Sequence, residues 1–561
     1  MLKIIFWYVI LGTLSLIIGD LVLRFLEKKI LPGKMPKSIR LAVVFHIVPI
    51  LGYTIFWIYM LNVTVGVILS CLLFLFVALG GLFQLCRHGR FLFLDDDESI
   101  IQTVLMLCLP IIFLLVIALP FDKDKDKDDP TAPYTRIIDF FVAKTPVRGS
   151  HDYIIQWIYA ESDSPWSITL CPEKHTVADR PPVIGGTTFL FKTPDYFLKP
   201  SIKKLDVYYF LGMAVFCCVG WIPACWGLLR SLGIPIRKCV SLIIILGFSS
   251  PLIFFSTTFC WPKMLGGTYM LVAYLLVDSD MRAKDVLGRL AIPMAAVFVG
   301  FSLLCHMVNA LVIPFVLVYL IIKRDIRIFE IVICGIIVSG IVASWFVPKM
   351  LFETPHPSLF RYLLTDANNK DIYFNNSSDF QAIVDSYKQH SMKDILTAKY
   401  TLIRNSLPPL KLTREGLLNP ENLFTSQGYV LIATAVIGLL FFFRTTSQCR
   451  NLYLKKLICY MLFFIFAYVV LVTISYWCTP GQTIFPTSAL LFYSLALLLG
   501  AAFLHEKCLW SVAGATFILW LYLYLDYALF IQYALIIAGG VLFFAMKTYA
   551  RPRSRDNNHM I

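Results

Sequence analysis

The sequence predicts an all-α, polytopic membrane protein with roughly 13–15 transmembrane helices. Three observations predict it. The chain has 561 residues, is 58% hydrophobic and only 15% charged, and has a mean hydropathy of +0.75, a balance too apolar for a soluble domain. Windows of about 20 mostly apolar residues recur along it, each long enough to cross the hydrocarbon layer as a helix. Lysine and arginine gather on every second short loop, the pattern that marks cytoplasmic loops.

The first window, residues 4–25, follows Met1-Leu2-Lys3 without a small-residue cleavage site and reads as a retained anchor. Windows 40–61 and 63–86 complete an accessory N-terminal region, residues 1–100. Window 101–120 opens a core region, 101–349, and leads into a long outer loop, 121–206. Six further windows, 207–229, 239–259, 264–277, 287–304, 307–322 and 328–349, finish that core. A second outer loop, 350–426, contains KDILTAKYTLIRNSL and is expected to hold helical pieces. Windows 427–443, 456–477, 487–504, 508–526 and 530–546 form a C-terminal region, 427–561, that ends in a basic tail.

Orientation follows from the loops that carry Lys28, Lys29, Lys34, Lys37 and Arg40, then Arg87 and Arg90, then Arg230, Arg237 and Lys238, and onward to Lys323, Arg324 and Arg327. These are the cytoplasmic loops, and alternation places both long loops outside. The net charge of +14 is thereby accounted for by anchoring. No soluble segment interleaves a basic patch with aromatics, so nucleic acid is not an expected partner. The 15 cysteines include no CxxC pair and read as small core residues rather than metal ligands or a disulfide framework.

Within the first outer loop, DKDKDKDD (122–129) reads as a solvated linker. Beyond it, TPVRGSHDYIIQWIYAESDSPW places Ile154, Ile155, Ile158 and Tyr159 on one helical stripe, with Gln156 and Glu161 off it. That pattern predicts a short helix lying in the membrane interface, with Trp157 and Trp166 at headgroup level. VIGGTTFLF, from Val183, repeats the theme, so the loop is expected to rest on the membrane surface.

Four motifs could carry chemistry. In ADRPPV, Pro181 and Pro182 fix their own φ and push Arg180 away from helix, so Asp179 and Arg180 stand on a stiff turn. A carboxylate there can take a proton, and a guanidinium can grip phosphate with two prongs, although a loop salt bridge would use the same residues. Asp152, preceded by Arg148 and His151, supplies a second carboxylate. CWPKMLGG sets Lys263 beside Trp261 at the outer end of a short span, where its ammonium can meet a lipid phosphate or merely snorkel. FSLLCHMVNA holds His306 at an outer turn, where it is either structural or a substrate contact.

The ordered set PVRGSHDYIIQWIYA, ADRPPV, FFSTTFCWPKML and LLCH, within about residues 100 to 410, resembles a group of bacterial membrane proteins of the GT-C glycosyltransferase type. That resemblance implies transfer of a sugar from a polyprenyl-phosphate carrier to a glycan or lipid acceptor on the extracytoplasmic face. The membrane would be a plasma membrane, the inner membrane of a bacterium. Asp152, or else Asp179, would be the catalytic general base, and inversion would follow from single displacement. Arg180, Lys263 and Arg148 would hold the donor phosphate, and His151, His306 and Trp261 are further substrate contacts. A divalent ion, Mg or Mn, could bridge carboxylate and phosphate, although no ligand cluster demands it. The chain departs from the family pattern in adding three helices at the front and in lacking an adjacent acidic pair directly after the fourth window. A polysaccharide polymerase or ligase using lipid-pyrophosphate-linked glycans is the nearest rival, and a transporter with broken helices is another.

Overall fold

The computed structural model describes residues 2–89, 92–118, 156–157, 159–160, 169–171, 175–176, 181–192, 207–231, 233–249, 253, 257–258, 262–277, 287–352, 365 and 377–406. Among them seven helical stretches are long and apolar enough to cross a membrane, a multi-pass architecture. They are α1 (Leu2–Lys29), α2 (Lys37–Leu61), α3 (Val63–His88), α4 (Asp97–Ala118), the broken pair α6 (Val207–Cys218) and α7 (Trp221–Ser231), α10 (Ala291–Cys305) with its preceding turn, and α12 (Ile328–Phe352). Shorter helices are α5 (Val183–Thr187), α8 (Ile236–Ser249), α9 (Pro262–Val277), α11 (Val312–Ile322), α13 (Asp379–Lys388) and α14 (Met392–Ser406). A small antiparallel ladder pairs β1 (Thr169–Cys171) with β2 (His175–Thr176) in the first long loop. The windows beyond residue 427 lie outside the described residues.

Local sequence explains the helix ends. Asp97 and Glu98 occupy the first turn of α4 and Asp96 accepts from the Ser99 amide at 2.8 Å, so negative charge meets the unsatisfied N–H groups there. Lys28 and Lys29 close α1 with the opposite charge. Asn62 alone joins α2 to α3: its backbone ends the first helix and its side chain accepts from Val65 N at 3.1 Å, so it serves as a helix cap. Ser391 and Asp394 bond each other's backbone amides in a reciprocal box that starts α14, and these bonds hold the Asp394 carboxyl below its ordinary range.

The window 207–229 was expected as one helix, but it is broken at Val219-Gly220. Pro223 has no N–H to return to Val219, and bare Gly220 lets the Phe45 ring press in, with Cδ1 3.0 Å from where a Cβ would stand. The window 307–322 also begins differently from expectation. Extended His306 (φ −165°) ends α10, and Met307–Leu311 form a 3-10 turn before α11 starts at Val312.

The bundle has two distinguishable ends. At one, Arg40 bridges Asp20 (2.9 Å) and Glu27 (2.5 Å), Arg24 pairs with Asp20 (2.8 Å), and Arg230 pairs with Glu98 (2.8 Å), whose carboxylate also accepts from Trp226 Nε1. All of these belong to the basic loops or the helix turns beside them. At the other end the rings of Phe56, Tyr159, Phe189 and Trp345 cluster, edge to face except for the tilted Phe56–Trp345 pair. Between them α1 crosses α6 closely, because Gly12 faces Phe216 and Gly212 faces the Trp7-Tyr8 backbone. The α6–α7 stretch is enclosed on all sides, whereas α3 and α12 leave most of their length uncovered and form the rim.

Arg324 closes α11 at φ 59°, the one non-glycine residue among those described with positive φ, and the next amide, Asp325 N, bonds back to Leu320 O at 2.8 Å. This is the left-handed cap that glycine normally fills. Arg324→Gly is expected to raise the stability of the bundle by about 1 kcal/mol, read as a higher unfolding temperature in detergent. An unchanged or lower temperature would show that the arginine side chain outweighs the strain.

Candidate functional site

The DRPP motif leads directly into an irregular segment that is closely held by its neighbours. From Pro181 to Lys192 the chain forms α5 and a 3-10 turn, Thr188–Leu190, buried between α2, α3 and α6. Backbone that is not regular helix survives at membrane depth only where its polar groups are satisfied, and here side chains from several elements do so. Gln156 donates from Nε2 to Pro181 O and accepts from Gly185 N, both at 3.0 Å. Tyr209 donates to Thr188 O at 3.2 Å, Ser70 to Leu190 O at 3.2 Å, and Thr187 to Val183 O at 2.7 Å. Gly52 and Gly186 let α2 and α5 touch backbone to backbone.

This corrects two expectations. VIGGTTFLF does not lie on the membrane surface: Val183–Leu190 is a plug inside the bundle. Gln156 was placed on a polar face, yet it is 0% exposed and clamps the plug, with Trp157, Tyr159 and Ala160 buried beside it. An amide with donor and acceptor on one group is suited to bridging a carbonyl and an N–H, and hydropathy cannot separate that role from solvent exposure.

Lys192 ends the plug and was missed at the sequence level. It is 6% exposed, donates to Ala160 O at 3.0 Å, and lies 4.8 Å from the Tyr59 ring centroid and 4.4 Å from that of Phe189. The available signal was a lysine directly after an apolar run, where an ionisable group carries functional weight.

The WPK and LLCH motifs come together. Near the start of α9, Gly266 has no room for a Cβ because Asn309, Cys305 and Ser302 crowd it. Ser302 donates to Gly266 O at 2.7 Å, and Asn309 Nδ2 donates to Ser302 O at 2.9 Å and to its Oγ at 3.0 Å. Lys263, partly buried one turn before Gly266, and His306, three residues before Asn309, therefore flank one junction. It lies toward the plug end, since the opposite end of α9 places Leu275 against Gly227 and Ile39 beside the basic loops. Asp152, Asp179, Arg180, Arg148, His151 and Trp261 lie outside the described residues.

Deeper in the core, His46 ties α2 to α9. Its Nδ1 stands 2.7 Å from Ala42 O and its Nε2 2.8 Å from Thr268 Oγ1, while Tyr269 donates to His46 O at 2.8 Å. A carbonyl only accepts, so Nδ1 carries a proton, and Nε2 pairs with the Thr268 hydroxyl, which also stands 2.8 Å from Leu265 O. Every polar atom of the ring is used, which makes His46 a structural link. Among the described residues no group of three or more His, Cys, Asp or Glu side chains gathers as a metal site. No protein-family model, curated protein or solved structure matches the chain.

Proposed function

We propose that the protein is a membrane glycosyltransferase that moves a sugar from a polyprenyl-phosphate carrier to a hydroxyl-bearing glycan or lipid acceptor. The observation that carries this reading is the plug. Two prolines and ten further residues are sewn into the bundle immediately after Asp179 and Arg180, at the end away from the basic loops. A transferase needs its base and its anion-binding group held at fixed positions, because a reacting geometry that wanders loses most of the advantage of proximity. A loop that served only to connect spans would not need its exit stitched from α3, α6 and Gln156.

In the reaction, Asp152 or Asp179 takes the proton of the acceptor hydroxyl as its oxygen attacks the anomeric carbon. The bond from that carbon to the carrier phosphate breaks, and the departing phosphate keeps the electron pair. Arg180, Arg148 and Lys263 stabilise the negative charge that grows on the leaving group. Lys263 stands in the first turn of α9, where backbone N–H groups also favour an anion.

The test is transfer by the purified protein in nanodiscs, with radiolabelled polyprenyl-phosphate sugars and a set of glycan and lipid acceptors. Asp152→Asn or Asp179→Asn is expected to lower the rate by about 10²–10⁴-fold while the unfolding temperature stays as in the wild type. Transfer that survives both substitutions removes the base assignment. Flux across liposomes with no covalent product would establish a transporter instead, and turnover restricted to lipid-pyrophosphate-linked glycans a polymerase or ligase.

A further inference from the structure

Asn309 has a carbonyl oxygen with nothing to accept. The residue is 0% exposed, and its amide nitrogen is committed twice, to Ser302 O at 2.9 Å and Ser302 Oγ at 3.0 Å. Ser302 is itself committed, since its hydroxyl donates to Gly266 O. This chain of bonds fixes which way the amide is turned, because only the NH2 group can face a carbonyl. Oδ1 is left as a buried acceptor with no donor within reach among the described residues. A buried polar atom in that state calls for a partner that the protein does not supply. It sits where the first turns of α9, carrying Lys263, meet the 3-10 turn Met307–Leu311 that follows His306.

We infer that Asn309 Oδ1 is a specificity determinant that accepts a hydrogen bond from a hydroxyl of the carrier-linked sugar. This rests on the glycosyltransferase reading and adds a residue to it. The junction offers two kinds of recognition side by side. The ammonium of Lys263 and the N–H groups of the α9 first turn suit an anion, whereas an amide oxygen suits a hydroxyl and repels a bare phosphate oxygen. A sugar phosphate presents both groups on adjacent atoms. Asn309 itself sits in a short 3-10 turn, which has poorer hydrogen-bond geometry than an α-helix and moves more readily to admit a ligand. A site built around a hydroxyl discriminates against a ligand that lacks one, because its acceptor is then left empty.

The experiment compares undecaprenyl phosphate with its glucosyl, galactosyl and mannosyl esters, measuring affinity from the shift in unfolding temperature in nanodiscs. The wild type is expected to bind at least one ester about tenfold more tightly than the bare phosphate, the value of one hydrogen bond. Asn309→Leu removes the acceptor and is expected to abolish that preference while binding of the bare phosphate stays within about twofold. Asn309→Asp guards against a folding defect. A protonated carboxyl there donates to Ser302 O and still presents an acceptor, so the preference is expected to survive. If Asn309→Leu keeps the preference, or the wild type binds the bare phosphate and every ester alike, the role of Asn309 is overturned while the transferase reading stands. If the wild type binds none of the four lipids, the transferase reading and the role of Asn309 fall together.

Discussion

Gly52→Ala is expected to destabilise the bundle by about 3 kcal/mol and to lower the proposed transferase activity with it. A Cβ at position 52 would overlap the Thr187 Cα and stand 2.9 Å from Thr187 N and 3.1 Å from Thr187 Cβ. The atoms in the way are backbone, so no rotamer change relieves the clash. Nor can the segment slide aside, because Gln156, Tyr209 and Ser70 bond it from several directions. Displacement of the plug would carry Pro181 with it, and hence the residues directly before. Gly80→Ala is the control. The nearest obstruction there is the flexible Leu21 Cδ1 at 3.5 Å, so stability should be unchanged or should rise by about 0.5–1 kcal/mol through helix propensity. Unfolding temperatures in one detergent decide the matter, and equal values for the two variants would show that the α2–α5 contact is looser than described.

The second large effect is expected at the basic end. Arg40→Met should cost about 3–5 kcal/mol, the range for breaking a buried ion pair from one side. Asp20 is 1% exposed and would keep only Arg24, while Glu27 would lose its guanidinium and keep only its bond from the Met35 amide. Arg40→Lys should recover less than half of the loss, because one ammonium cannot span two carboxylates set two turns apart along α1 as the guanidinium fork does. Unfolding temperature is again the readout. A wild-type value for Arg40→Met would mean that the network contributes orientation rather than stability.

Much of the helical layout was legible because membrane insertion is a local property. Apolar stretches of sufficient length, and the basic residues beside them, marked α1–α4, α10 and α12 to within a few residues. Breaks within spans were less legible. Gly220 and Pro223 are visible in the sequence, but glycine and proline also occur inside continuous membrane helices, as Pro49, Pro110 and Pro348 do here. What separated the cases was Phe45 filling the gap at Gly220, a contact from another helix.

The candidate site divides in the same way. The sequence placed Lys263 and His306 near outer turns, and the structure brings their motifs to one junction. It could not show that Asn309, in the same LLCHMVNA stretch, would have its nitrogen spent and its oxygen free. Gln156 and Lys192 were hidden for a related reason. A polar residue beside apolar neighbours reads as interfacial unless its bonding partner is known, and those partners, Pro181, Gly185 and Ala160, lie tens of residues away.

By itself, then, the sequence determined that the chain belongs in a membrane, where its longer helices run and which loops carry the anchoring charge. Only the tertiary structure decided which apolar faces meet protein and which stay uncovered. In water those two would differ in polarity, but in a bilayer both are equally apolar and periodicity cannot tell them apart. That is why a segment read as lying on the membrane proved to be a plug within the bundle, held by hydrogen bonds whose donors and acceptors are brought together only by folding.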